Sequence, residues 1–102
     1  MKLELDSRNS MTKAKARHIL VKTEAECLAL KQQINDFETF DQLAREHSLC
    51  PSGRVGGDLG IFGPGKMVPE FDQVVFNDAI GEVHGPVPTQ FGYHLIWITD
   101  RK

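Results

Sequence analysis

Cysteine and the larger aromatic residues are scarce in this chain. Its 102 residues include two cysteines, one tryptophan and one tyrosine. Cys27 lies in a stretch with helical spacing, whereas Cys50 precedes a proline in a glycine-rich stretch. Two cysteines in such different settings do not indicate a disulfide framework. Because no close-spaced ligand pair such as CxxC or HxxxH occurs, no metal site is expected either.

Long apolar runs and an excess of basic charge are absent as well. The chain has no apolar run of about 18 residues and no apolar segment typical of a secretion signal. Its formal net charge is -2, which does not favour nucleic acid or an anionic membrane as a partner. We therefore expect a monomeric protein of the cytoplasm that binds neither membranes nor nucleic acid.

The chain has the length of one domain with a modest core. Its first ten residues alternate polar and charged groups without a usable apolar face. We therefore expect a flexible N-terminal extension over residues 1–11 and a folded domain over residues 12–102.

The order of the predicted elements indicates an α+β fold with helices packed around a small sheet. Runs of strand-forming residues and helical spacing are separated by turns rich in glycine and proline. The predicted strands cover residues 16–22, 57–62, 85–88 and 92–99, and the predicted helices cover residues 23–36, residues 39–47 and a third segment that begins at Pro69.

Hydroxyl side chains are expected to cap the first two helices. Thr23 and Glu26 form a capping box, and Thr39 is expected to repeat this arrangement in the second helix. Apolar residues spaced three and four apart define the face that each helix buries. The predicted inward residues are Cys27, Leu30 and Ile34 in the first helix, Phe40, Leu43, Ala44 and His47 in the second, and Phe71, Val74 and Val75 in the third.

Two histidines, His18 and His94, lie on predicted strands that can be neighbours in the sheet. Imidazoles that face the same side of neighbouring strands can share a hydrogen bond between one donor and one acceptor nitrogen. A single strand histidine is more often a satisfied core residue. Two of them beside a loop that carries a cysteine favour a functional site.

Four separated motifs resemble the parvulin family of peptidyl-prolyl cis/trans isomerases and occur in that family's order. The similarity runs from about residue 16 to the C-terminus. It implies a four-stranded antiparallel sheet surrounded by about four helices, the fourth being a short turn around residues 51–54. The motifs are RHILVK from Arg17, HSLCPSG from His47 with GGDLG from Gly56, MVPEF from Met67, and QFGYH from Gln90.

The same resemblance implies the residues of the site. His18 and His94 would form the hydrogen-bonded pair, with Thr89 close by and Cys50 facing the substrate amide. Ordinary core packing is the simpler interpretation of the apolar residues when they are taken without the resemblance. With it, the residues implied to hold the proline ring or to lie at the edge of its pocket are Leu59, Met67, Phe71 and Phe91.

The implied activity is isomerisation of X-Pro bonds in peptides and unfolded proteins, without a cofactor or a metal. Rotation about this bond meets a barrier of roughly 20 kcal/mol, which an apolar pocket with a few polar groups can lower without a covalent step. A Cys/His nucleophile at Cys50 is the weaker alternative because no hydrolase signature surrounds it. Family members that carry aspartate at this position favour an electrostatic or hydrogen-bonding role.

The linker that follows the first predicted strand is short. Phosphate-dependent members of the family carry a basic cluster there, whereas this chain has Lys22 beside two glutamates. The resemblance therefore implies an isomerase that does not depend on phosphorylated substrates.

A non-catalytic binding module is the competing interpretation. Such a domain would hold unfolded chains as a chaperone, or touch nucleic acid through Lys13, Lys15 and Arg17. The polar residues implied for the site favour an enzyme, because a holding protein does not need them beside an apolar pocket.

Overall fold

A computed structural model of the protein describes residues 12–102, so the predicted flexible extension over residues 1–11 lies outside the described part. No helix in the described part is both long and apolar enough to cross a bilayer. The strands are β1 (Ala14–Val21), β2 (Asp58–Phe62), β3 (Val83–Thr89) and β4 (Gly92–Arg101), and the helices are α1 (Glu24–Gln33), α2 (Phe37–His47), a 3₁₀ helix (Pro51–Val55) and α3 (Pro69–Asn77).

The four strands form one antiparallel sheet in the order β2-β1-β4-β3. The predicted α+β fold and the predicted sheet are therefore confirmed, and the expected four helices are three α-helices and the 3₁₀ helix. β1 and β4 extend beyond their predicted ends because Lys15 pairs with Asp100 and Ala14 pairs with Arg101. Three of these four residues are charged, so a hydrophobicity pattern does not reveal that the backbone continues as strand there.

Apolar residues on both faces of the central strands form two cores. Helix α3 packs on one face of the sheet, whereas α1 and α2 pack on the other, where Trp97 contacts the rings of Phe37 and Phe40. The core on the α3 face consists of Ala14, Ala16, Phe62, Phe71, Val75, Val87, Ile96 and Ile98, and the core on the opposite face consists of Ile19, Val21, Cys27, Leu30, Phe40, Leu43, Ala44 and Leu95.

The caps differ from the prediction in one helix. Thr23 caps α1 as expected, since its Oγ1 accepts the Glu26 N–H at 3.1 Å. The predicted Thr39 cap of α2 is wrong, because Asp36 holds the extended backbone before the helix and its carboxylate accepts the Thr39 N–H at 2.8 Å. α1 also ends at Gln33, three residues before the predicted end, because Asp36 already serves as the cap of α2.

The buried faces of the helices mostly follow the predicted spacing. Ile34 is half-buried at the end of α1 and Val74 is half-buried in α3, while the other predicted apolar residues are buried. The prediction that His47 faces inward is wrong. Its side chain is 42% exposed and lies 3.7 Å from the Glu46 carboxylate. It is the last residue of α2, at the exposed carboxyl end of the helix and beyond the buried residues Phe40, Leu43 and Ala44.

The segment between the 3₁₀ helix and β2 lies against β1 at the position of His18. The Gly57 carbonyl accepts the His18 N–H at 3.0 Å, and the Gly57 N–H donates to the Ser52 carbonyl at 2.8 Å. Gly57 has φ +83°, and a Cβ atom on it would overlap the backbone carbonyl of His18. The loop that begins at Cys50 can approach β1 this closely only because residue 57 has no side chain.

We expect Gly57→Ala to destabilise the fold more than Gly81→Ala. The two glycines have nearly the same φ, +83° and +86°, but a Cβ atom on Gly81 meets no other atom within 4 Å. The Gly81 variant should lose about 1 kcal/mol from backbone strain, and the Gly57 variant about 1–3 kcal/mol more from steric overlap. Urea unfolding of both variants measures the difference. Equal losses would show that the close approach to His18 costs nothing.

Candidate active site

His18 on β1 and His94 on β4 lie side by side on the face of the sheet that α3 covers. β1 and β4 are neighbours, with Leu20 opposite His94 and His18 opposite Ile96. The two Nδ1 atoms are 3.0 Å apart, and the rings are stacked at 5.2 Å with a 16° angle between their planes. The predicted hydrogen bond between the two histidines is therefore confirmed.

A chain of hydrogen bonds continues from this pair to the hairpin that joins β3 and β4. Thr89 Oγ1 lies 2.8 Å from His94 Nε2 and accepts the Phe91 N–H at 3.2 Å. His94 therefore uses both ring nitrogens. His18 Nε2 is buried and makes no hydrogen bond to any described residue. Because two Nδ1 atoms share one proton, at least one of the two imidazoles must be neutral.

Burial keeps both imidazoles neutral. Phe71 of α3 meets both rings edge-on, at 5.4 Å from His18 and 5.5 Å from His94. Burial, together with repulsion from His94, lowers the pKa of His18 from 6.5 to about 4, and burial also lowers the pKa of His94. At neutral pH the pair thus presents polar but uncharged groups.

An apolar cavity of about 500 Å³ opens above the histidine pair. Seven of the eight predicted site residues line it, and Thr89 lies behind His94, to which it is hydrogen-bonded. The predicted residues that line the cavity are His18, Cys50, Leu59, Met67, Phe71, Phe91 and His94.

Five further residues of the cavity wall were missing from the predicted site. Most are chain neighbours of predicted residues, so motif adjacency is the signal that would have found them. Leu20 is different, because its place follows from strand alternation, which puts it on the same face as His18. The additional residues are Leu20, Leu49, Pro51, Lys66 and Val68.

Cys50 lies half-buried in the cavity wall, directly before the 3₁₀ helix. The Leu49 N–H donates to the Leu20 carbonyl at 2.8 Å, and the Leu20 N–H donates to Ser48 Oγ at 3.1 Å, so this loop is fastened to β1. Within residues 12–102 the Cys50 thiol makes no hydrogen bond to either histidine. That geometry does not favour a Cys/His nucleophile.

Arg17 supports the cysteine loop from the other face of the sheet. Its guanidinium donates to the carbonyls of Val55 and Gly56 at 3.2 and 3.4 Å and pairs with Asp41 at 3.3 Å. It also lies 4.5 Å from the centre of the Phe37 ring. These contacts occupy Arg17, which weakens the alternative in which it touches nucleic acid.

Comparison with known proteins finds relatives along nearly the whole chain. The family model of the PPIC-type PPIASE domain matches residues 1–102. The foldase protein PrsA of Geobacillus kaustophilus is 46% identical over 95 residues, which are 92% of this chain and 34% of that protein. The chain thus spans about a third of the length of this curated relative.

Solved structures show the same similarity. PrsA from Bacillus anthracis has a TM-score of 0.86 at 36% identity, over 94% of this chain and 45% of that one. NmPin, the parvuline of Nitrosopumilus maritimus, has a TM-score of 0.77 at 38% identity, over 87% of this chain and 97% of that one. NmPin is therefore matched over almost the full length of its solved chain.

We expect the fold to lose stability as the pH falls from 6.5 towards 4. The folded pKa of His18 is about 4, below its usual 6.5, so the unfolded chain takes up protons first. The contribution is fully present above pH 6.5, and its loss should reach about 1–3 kcal/mol. Urea unfolding across this range measures it. A His47→Gln/His84→Gln variant should show the same loss, and a flat profile in the parent would contradict the prediction.

Proposed function

Because the chain belongs to the PPIC-type, or parvulin, family of peptidyl-prolyl isomerase domains, we propose that it catalyses cis/trans isomerisation of X-Pro bonds. Its substrates are proline-containing peptides and unfolded or partly folded proteins. The observation that carries the proposal is an apolar cavity that opens directly above a neutral, hydrogen-bonded histidine pair. The proposal also keeps the expected monomeric state and cytoplasmic location.

The cavity suits a reaction in which no bond to the substrate is made or broken. Leu59, Met67 and Phe71 provide an apolar wall for the proline ring. Excluding water removes solvent that stabilises the planar, charge-separated amide, and polar groups at the floor favour the twisted amide. His18 and His94 supply such groups without a charge that would have to be desolvated.

Binding of unfolded chains is the second candidate function. Leu49 and Phe91 line the edge of the cavity and remain 56% and 60% exposed. An apolar rim of this kind can hold an extended apolar segment without any reaction. Isomerisation remains the better proposal, because an apolar rim alone does not require a buried chain of polar side chains behind it.

The proposed substrates are not phosphorylated. Only Lys22 and Thr23 separate β1 from α1, and α1 begins with a glutamate. A phosphate carries roughly two negative charges at neutral pH, and one lysine beside two glutamates does not match it. We therefore propose that peptides with an uncharged residue before proline are preferred.

We expect the domain to accelerate isomerisation of a short Leu-Pro peptide and of a Ser-Pro peptide more than of its phosphoserine-proline counterpart. A protease-coupled assay that cleaves the trans form measures all three rates. Met67→Ala should lower kcat/KM because it removes part of the apolar wall. Ile61 lies on β2 outside the cavity and is 68% exposed, so Ile61→Ala should leave kcat/KM unchanged.

The proposal is overturned if no peptide isomerises faster with the domain than in buffer while the domain still binds unfolded chains. In that case the binding module stands. A phosphopeptide preferred by tenfold or more, about 1.4 kcal/mol in the transition state, would instead overturn the proposed substrate class.

We also expect Cys50→Asp to retain isomerase activity, within about tenfold of the parent. An electrostatic or hydrogen-bonding role is open to a carboxylate, whereas a nucleophilic thiol cannot be replaced in this way. The same protease-coupled assay gives kcat/KM, and a thermal melt confirms that the variant is folded. Activity equal to buffer alone in a folded Cys50→Asp variant would rule out the proposed role.

A further inference from the structure

Lys66 is the only formally charged side chain among the described residues that line the cavity. The rest of the lining is apolar apart from the Cys50 thiol and the histidine pair. Since His18 and His94 are neutral at pH 7, the lysine ammonium is the only full charge that the described lining presents to a peptide in the cavity.

The described residues leave the Lys66 ammonium without an ion-pair partner. Within residues 12–102, no carboxylate lies within ion-pair distance of it. The nearest acidic residues in α3, Glu70 and Asp72, do not line the cavity. Asp72 instead accepts the Gly65 N–H at 3.1 Å. This bond anchors the residue before Lys66 and so holds the loop at the cavity.

The loop that carries Lys66 reaches the cavity from one end of the central strand. This loop leaves β2 after Phe62, and Phe62 pairs with Ala14 at the start of β1. The other end of β1 is Val21, where the short linker to α1 begins. A peptide whose proline lies over His18 therefore meets Lys66 on one of its two flanks.

We propose that Lys66 makes the domain prefer X-Pro segments that carry an acidic side chain on one flank of the proline. The inference rests on the proposed isomerase function and adds a substrate class to it. Lys66 itself is exposed, but the apolar lining beside it reduces screening by water on the cavity side, which favours a carboxylate near this ammonium. One ammonium is not the basic cluster that a phosphate needs, so the preference is moderate.

Matched peptides test the preference. Glutamate and glutamine are placed in turn directly before and directly after the proline of a short peptide with otherwise neutral residues. We expect a Glu/Gln ratio of kcat/KM of about two to five on one flank only, the range of a partly exposed ion pair. The ratio should shrink between about 0.02 M and about 0.5 M salt, because salt screens the attraction.

Substitutions assign the preference to the lysine. Lys66→Gln should bring the ratio to about one, and Lys66→Glu should invert it, by the same ion-pair argument. Lys15→Gln removes an exposed lysine outside the cavity and should leave the ratio of the parent. A ratio near one on both flanks in the parent, or a preference that persists in Lys66→Gln, would overturn the inference.

Equilibrium binding of the same peptides separates this inference from the proposed function. If no peptide isomerises faster than in buffer, the isomerase proposal fails. The Gln/Glu ratio of the dissociation constants then still reports the preference, because the preferred peptide has the smaller constant, and it is expected to be about two to five on one flank and about one if the inference is wrong. If an Ala-Pro reference peptide is isomerised but the ratio is one, the function stands and the role of Lys66 is wrong.

Discussion

The hydrogen bond between His18 and His94 is the constraint on which the site depends. Two imidazoles can share a proton between their Nδ1 atoms only while at least one is neutral, and burial keeps both neutral. A buried partner left unpaired costs about 1–3 kcal/mol, so the bond couples the state of the site to the pairing of β1 with β4. Thr89 extends this coupling to the β3–β4 hairpin. The central sheet and the floor of the cavity are thus one cooperative unit.

A second constraint brings the cysteine loop to this floor. Gly57 lies directly against the backbone of His18. Arg17, which precedes His18 in β1, donates to the carbonyls of Val55 and Gly56 at the end of the 3₁₀ helix from the opposite face of the sheet. Two consecutive residues of β1 therefore hold the same loop in different ways. The position of Cys50 follows from these backbone contacts, so a substitution at Cys50 can alter chemistry without removing what holds the loop.

The site was largely predictable from the sequence because its parts lie in recognisable motifs and its histidines alternate with apolar residues on two strands. The elements of the fold followed from the same patterns. What the sequence could not settle depends on the backbone path. Asp36 replaces Thr39 as the cap because α2 is capped three residues earlier in the chain, and His47 leaves the buried face at the end of its helix. Leu49 and Lys66 are chain neighbours of the predicted residues Cys50 and Met67, but only the convergence of their two loops places them at the same cavity.

The floor and the rim of the cavity differ in charge: the histidine floor is neutral at pH 7, whereas the rim carries Lys66. Under the proposed function, a floor that is neutral at pH 7 does not distinguish substrates by charge and would suit any X-Pro bond whose ring fits the apolar wall. Discrimination must then come from the rim, where Leu49, Phe91 and Lys66 meet the flanking residues. The side chains of these rim residues make none of the hydrogen bonds of the histidine pair, and Phe91 joins Thr89 only through its backbone N–H. Substrate preference can therefore change by single substitutions at the rim while the histidine pair, and the stability that depends on it, stays intact.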